Sequence, residues 1–167
     1  MFRRALIASA VTIGLIGSAS AATLHYQAAL DGKSEVPATT SPATGDLLAT
    51  LDTATKTLSY TLTFRGLTGP ATAAHFHGPA AAGAAAGVAV GIGKDVASPT
   101  SAKVTLTDAQ MKDLMAGKWY VNIHTDTNKG GEIRGQVVKV TDAVAPKPAP
   151  AKPAPAAPAA PAAPMKH

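Results

Sequence analysis

Residues 117–140 read GKWYVNIHTDTNKGGEIRGQVVKV. Trp119, Val121 and Ile123 alternate with Tyr120, Asn122 and His124. After the polar stretch TDTNKGG, Ile133 and Val137 alternate with Glu132, Arg134 and Gln136. Side chains of an extended chain point to opposite faces in turn, so the pattern predicts a β-hairpin with one apolar and one polar face. Gly130-Gly131 supplies the positive φ that the turn needs. Keeping all apolar residues on one side allows the register in which Ile123 faces Ile133, His124 faces Glu132, Asn122 faces Arg134 and Tyr120 faces Gln136; a shift by two residues would keep the faces and change the partners.

The same period of two recurs upstream. In TLHYQAAL, Leu24, Tyr26, Ala28 and Leu30 share a face. In KTLSYTLTFRGL, Leu58, Tyr60, Leu62 and Phe64 do. GDLLATLD precedes the second stretch across the polar turn DTATK, so residues 45–65 read as another hairpin. Further strands are expected at 71–78, 87–93, 102–107, 118–125 and 132–141. TDAQMKDLMAGK alone has a helical signature: Thr107 and Gln110 form a capping box, Met111, Leu114 and Met115 share a side, and Gly117 stops the helix. The expectation is an all-β fold, an antiparallel sandwich or barrel of about eight short strands with one short helix. EVPATTSPATG, residues 35–45, has no periodicity and reads as an ordered loop across one end of the sheet. GPAAAGAAAGVAVG reads as a flexible loop leading into a strand, since Gly83 and Gly87 disfavour a helix there.

The two ends of the 167-residue chain differ from its middle. Arg3 and Arg4, an apolar run from Ala5 to Gly17, and Ala19-Ser20-Ala21 make a basic region, a hydrophobic region and an A-x-A site. Residues 1–21 are therefore expected to be a signal peptide, with no transmembrane anchor left after cleavage. Residues 145–167 are almost wholly alanine and proline, a composition that forms no core and predicts a disordered, extended tail. The expected domain is residues 22–144, in an exported protein that is periplasmic or secreted.

The chain has 15 Lys and Arg against 10 Asp and Glu. Two of the basic residues lie in the leader and three in the tail, which leaves ten against ten in residues 22–144. The domain is formally neutral, and no nucleic-acid partner is expected. There is no cysteine, so disulfides, thiol nucleophiles and thiolate metal sites are excluded.

In TAAHFHGPAAAG, residues 72–83, His75 and His77 flank Phe76 and would project from one face of a strand. Two readings stay open. In one, Arg134 pairs with Glu132, Asn122 and His124 hold loop carbonyls, and the histidines belong to a buried polar network of Tyr120, Asn122, Glu132, Arg134 and Gln136. In the other, His124 joins His75 and His77 around copper or zinc, with Glu132 orienting His124 or acting as a weak fourth ligand.

LDGKSEVPATTSPATG, AAHFHGPA, YVNIHT and GEIRGQV, in that order, resemble the CHRD domain, a module found as repeats in chordin and alone in exported bacterial proteins. The resemblance spans about residues 24–140 and implies a β-rich extracellular module. One departure is Pro37-Ala38, where family members often carry a double proline. In chordin such modules accompany binding of secreted growth factors, a role that does not transfer to a chain without chordin's other modules. His75, His77 and His124 are also similar to the copper histidines of copper–zinc superoxide dismutase, although the bridging histidine, zinc ligands and paired cysteines of that enzyme have no match here. No nucleophile–base arrangement is recognisable. The expected function is a non-catalytic binding module for an extracytoplasmic protein or envelope component, with a superoxide-dismutase-like copper or zinc site as the alternative.

Overall fold

A computed structural model describes residues 21–140. The leader and tail readings fall, Ala21 apart, outside these residues.

Among the described residues nine strands run in chain order: β1 (Thr23–Asp31), β2 (Thr44–Asp52), β3 (Thr57–Arg65), β4 (Ala71–His77), β5 (Val88–Lys94), β6 (Thr100–Thr105), β7 (Tyr120–Thr125), β8 (Ile133–Gln136) and β9 (Val138–Val140). The helix α1 (Asp108–Met115) lies between β6 and β7. The sheet order is β5-β4-β7-β8-β1-β2-β3-β6, and every pair is antiparallel. The sheet curls into a nearly closed barrel, the barrel alternative of the expected fold class. Its interior is filled by the inward residues that the alternation marks: Tyr26, Ala28 and Leu30; Leu47, Ala49 and Leu51; Leu58, Tyr60 and Leu62; Trp119, Val121 and Ile123. Burying each large aliphatic side chain contributes about 1.5–3 kcal/mol, and this layer supplies the main driving force for closure.

α1 helps to close the sheet's two ends. It continues from β6, and its Gln110 Nε2 donates to the carbonyl of Ala89 in β5 at 2.8 Å. Both halves of the Thr107/Gln110 capping box are present. Leu114 is buried and Met111 packs partly against the core, but Met115 is exposed, unlike the expected shared face. Met115 is the helix's last residue: Ala116 caps it and Gly117 takes φ +69°, so the chain turns away there and no following turn continues the buried stripe.

The hairpin register follows the expectation, with Tyr120 opposite Gln136, Asn122 opposite Arg134 and Ile123 opposite Ile133. The expected final strand is divided at Val137. β8 pairs with β7, and β9 pairs with β1, where His25 faces Val140. Between them Val137 turns its side chain inward and donates its N–H to the Trp119 carbonyl at 2.8 Å. Gly78 ends β4 where no side chain fits: a Cβ there would lie 2.6 Å from Trp119 Cδ1 and 2.9 Å from the Lys118 carbonyl.

Candidate metal centre and its polar support

β4 and β7 are neighbours, and their register places Ala73 opposite His124, His75 opposite Asn122 and His77 opposite Tyr120. One sheet pairing therefore brings together the two motifs that carry histidine. His75 Nδ1 lies 3.0 Å from His124 Nε2. One ring nitrogen from each of His75, His77 and His124 falls within 4.8 Å of the other two. The three sequence-expected histidines thus converge.

His124 Nδ1 is 2.9 Å from the Lys129 carbonyl, and His77 Nδ1 is 3.0 Å from the Ala86 carbonyl. A carbonyl only accepts, so these contacts fix Nδ1–H on both rings and leave Nε2 for the interior of the cluster. Anchoring one ring nitrogen on a backbone carbonyl is the usual support of a metal-bound imidazole. Burial, then the neighbouring His124 and His77, push the pKa of His75 down from its ordinary value, which favours the neutral form that binds metals. Two ligands at 2.0–2.1 Å from one ion stand about 3.3–3.4 Å apart at a tetrahedral angle and at most about 4.2 Å apart. His75 Nδ1 and His124 Nε2, at 3.0 Å, stand slightly closer than the tetrahedral spacing. The three nitrogens lie within 4.8 Å of one another, a little beyond what one ion spans, so the rings have to close by roughly 0.6 Å to share it.

Behind the histidines the polar row of β7 and β8 is almost wholly buried, and its partners differ from the expected ones. Arg134 does not pair with Glu132. Its Nη2 donates to the Ala84 carbonyl at 2.7 Å, and its guanidinium lies 3.4 Å over the Tyr120 ring. Tyr120 in turn stacks on His77 at 4.8 Å and 2°. The Tyr120 hydroxyl donates to the Ala86 carbonyl at 3.2 Å, and Gln136 Nε2 donates to the Ala80 carbonyl at 3.2 Å. The alanine- and glycine-rich segment after β4, read from sequence as flexible, is thus held by its carbonyls at Ala80, Ala84 and Ala86. Such recognition needs no side chains from the segment itself.

Glu132 faces away from the histidines. It sits in the turn before β8, where its N–H reaches the Ile123 carbonyl at 2.7 Å. Its carboxylate accepts from the Ser41 hydroxyl at 2.7 Å, the Thr68 N–H at 2.8 Å, the Thr68 hydroxyl at 2.7 Å and the Thr125 hydroxyl at 2.6 Å. Burial raises the pKa of this carboxyl, but the hydrogen bonds outweigh it and hold it down at about 2. Glu132 therefore ties the 35–43 loop and the segment after β3 to the hairpin, and neither orients His124 nor lies within reach as a fourth ligand.

Sequence reasoning missed Glu35. It follows the short 3₁₀ turn after β1 and is buried against the hairpin, where the Asn122 amide, Arg134 and His77 all act on it. Burial raises its pKa, and its own Val36 N–H, Asn122, Arg134 and His77 oppose that rise. Only its place directly after LDGKS in a non-periodic loop marked it, and nothing in that spacing points to β7.

A profile of the CHRD domain family matches residues 26–137, nearly the whole barrel. The chain belongs to the CHRD domain family. No curated protein and no solved structure matches it. This CHRD domain carries all four motifs of the resemblance as parts of one assembly. LDGKSEVPATTSPATG brings Glu35, Thr39 and Ser41, AAHFHGPA brings the paired histidines, YVNIHT brings Asn122 and His124, and GEIRGQV brings Glu132, Arg134 and Gln136. Among the described residues no helix is long and apolar enough to cross a membrane.

Proposed function

We propose that this CHRD domain is a non-catalytic binding module of an exported protein, periplasmic or secreted, and that its ligand site is the cluster of His75, His77 and His124. The observation that carries the reading is the convergence of three imidazole nitrogens within 4.8 Å, on rings anchored through Nδ1 at His77 and His124. Three nitrogen donors without a thiolate suit copper or zinc and disfavour calcium and magnesium, which take oxygen. A protein or envelope partner, the class that the family resemblance implies, remains compatible with the same module, which would then present the metal site beside its binding surface. Assignment of a superoxide-dismutase-like reaction needs an open coordination position and a redox-active ion, so it is a further step from binding.

The test is calorimetric titration of the full chain with copper(II) and with zinc, beside the H75A variant. His75 is the best position to change, because it is half exposed, whereas His77 is buried and stacked on Tyr120. The expected result is one ion per wild-type chain, with uptake lost in H75A and the fold kept by circular dichroism. Equal, weak uptake by both proteins would refute the metal reading and leave a polar network that binds the 79–87 segment.

A further inference from the structure

The geometry points to Asn122 as an oxygen donor to the metal and to Glu35 as the residue that positions it, an inference that rests on the metal reading above. Asn122 stands at the middle of the cluster. It faces His75 directly, His77 lies on a diagonal of the β4–β7 pairing, and His124 is two residues along the same strand and on the same face. Its side chain is 3% exposed, and its Oδ1 is 3.0 Å from His77 Nε2. The four donors then form two pairs, His75 Nδ1 with His124 Nε2 and His77 Nε2 with Asn122 Oδ1, each at 3.0 Å. Ligands at right angles around an ion at 2.0–2.1 Å are about 2.9 Å apart. His75 Nδ1–H can donate to His124 Nε2, whereas His77 Nε2, with its proton at Nδ1 on the Ala86 carbonyl, and Asn122 Oδ1 are two acceptors facing each other; both pairs thus hold ligand atoms at the spacing that neighbouring ligands take, and a cation would relieve the second.

Glu35 decides which end of the amide faces the histidines. A carboxylate accepts hydrogen bonds and donates none, so the Asn122 amide that acts on it must turn Nδ2–H toward Glu35 and Oδ1 toward His77. An N–H turned toward a carboxylate also makes the amide oxygen a better donor to a cation. The backbone is shaped for this contact. Gly131 has φ +135°, and a Cβ on it would lie 2.7 Å from Glu35 Cδ and 2.8 Å from Asn122 Nδ2. Glu35 is itself 7% exposed, and its Oε1 has no hydrogen-bond partner of good geometry among the described residues. A buried carboxylate with an unsatisfied oxygen is costly. A cation on the far side of Asn122 would offset part of that cost.

The decisive measurement uses the wild-type full chain loaded with copper(II). The sequence has two asparagines, Asn122 and Asn128. Labelling asparagine with ¹³C at the side-chain carbonyl and recording pulsed EPR should reveal a strong carbon coupling that N122D loses and N128D keeps. In chelator competition with copper(II) and with zinc, N122A should bind about 10–100-fold more weakly, the usual loss for a disturbed metal site. N122D serves only to assign the coupling, because it sets a second carboxylate beside Glu35 whatever the role of Asn122. Absence of the carbon coupling, or N122A binding as tightly as wild type, overturns the inference while leaving a three-histidine site. Failure of the wild-type chain to take either ion refutes the metal reading itself.

Discussion

Replacing Glu132 by glutamine tests whether the acid's hydrogen bonds to two loops hold the barrel's end together. The carboxylate is fully buried and has a pKa of about 2 against an ordinary 4.5. A shift of about 2.5 units corresponds to about 3 kcal/mol of folding stability at neutral pH. Because the folded-state pKa is depressed, this stabilisation is fully present above about pH 4.5 and is lost as the pH falls through about 2. Glutamine keeps Oε1 for Ser41 and the Thr68 N–H, but it puts an amide nitrogen where Oε2 now accepts from Thr68 and Thr125. Those two hydroxyls can rotate to accept instead, so the main loss is the charge that strengthens all four bonds. E132Q is expected to be about 3 kcal/mol less stable at pH 7, a fall in Tm of roughly 10 °C. Near pH 2 the gap should shrink to well under about half that value. Urea unfolding followed by fluorescence reads this directly, because Trp119 is the sole tryptophan and is buried. A deficit that stays constant from pH 7 to pH 2 would refute the linkage argument, since it would mean that the charge state of Glu132 contributes nothing.

Gly131→Ala combines a positive φ with a Cβ placed against Glu35 and Asn122, so it should cost at least about 2 kcal/mol, seen as a lower urea midpoint. Tyr120→Phe keeps the stack on His77 and the Arg134 contact but loses the hydroxyl's bonds to Ala86. It should cost about 0.5–1.5 kcal/mol and speed hydrogen exchange at the Ala86 amide, while unchanged exchange there would count against the tether. Mass spectrometry of the exported protein should find Ala22 at its N-terminus, and a membrane-bound form that begins at Met1 would contradict the signal-peptide reading.

The strands were legible because a barrel with one wet and one dry face shows as alternation, and keeping Ile123 and Ile133 on the same side gave the faces of the hairpin, of whose possible registers the structure takes the expected one at Ile123, Asn122 and Tyr120. The same rule failed one residue earlier. It set Glu132 opposite His124, but alternation holds only where the backbone is extended, and Gly131 bends the chain just before Glu132. The carboxylate swings toward Thr125 and reaches Ser41 and Thr68, which local pattern could not associate with it. Arg134 illustrates a second blindness. Charge complementarity suggested Glu132 as its partner, whereas its hydrogen bond is to the carbonyl of Ala84, and a carbonyl is present at every residue and so leaves no mark in a sequence. The histidine cluster lay between these cases. His75 and His77 announced a shared face through their spacing, but their meeting with His124 depends on β4 pairing with β7, two strands separated in sequence by β5, β6 and α1. Glu35 was hidden most deeply, since its contact with Asn122 joins an aperiodic loop to the centre of a strand. What the sequence does display is the glycine that such a contact requires. A positive-φ glycine beside a strand that carries asparagine and histidine is the mark that a buried side chain from elsewhere has to pass close to the backbone there, and Gly131 is where that search should begin.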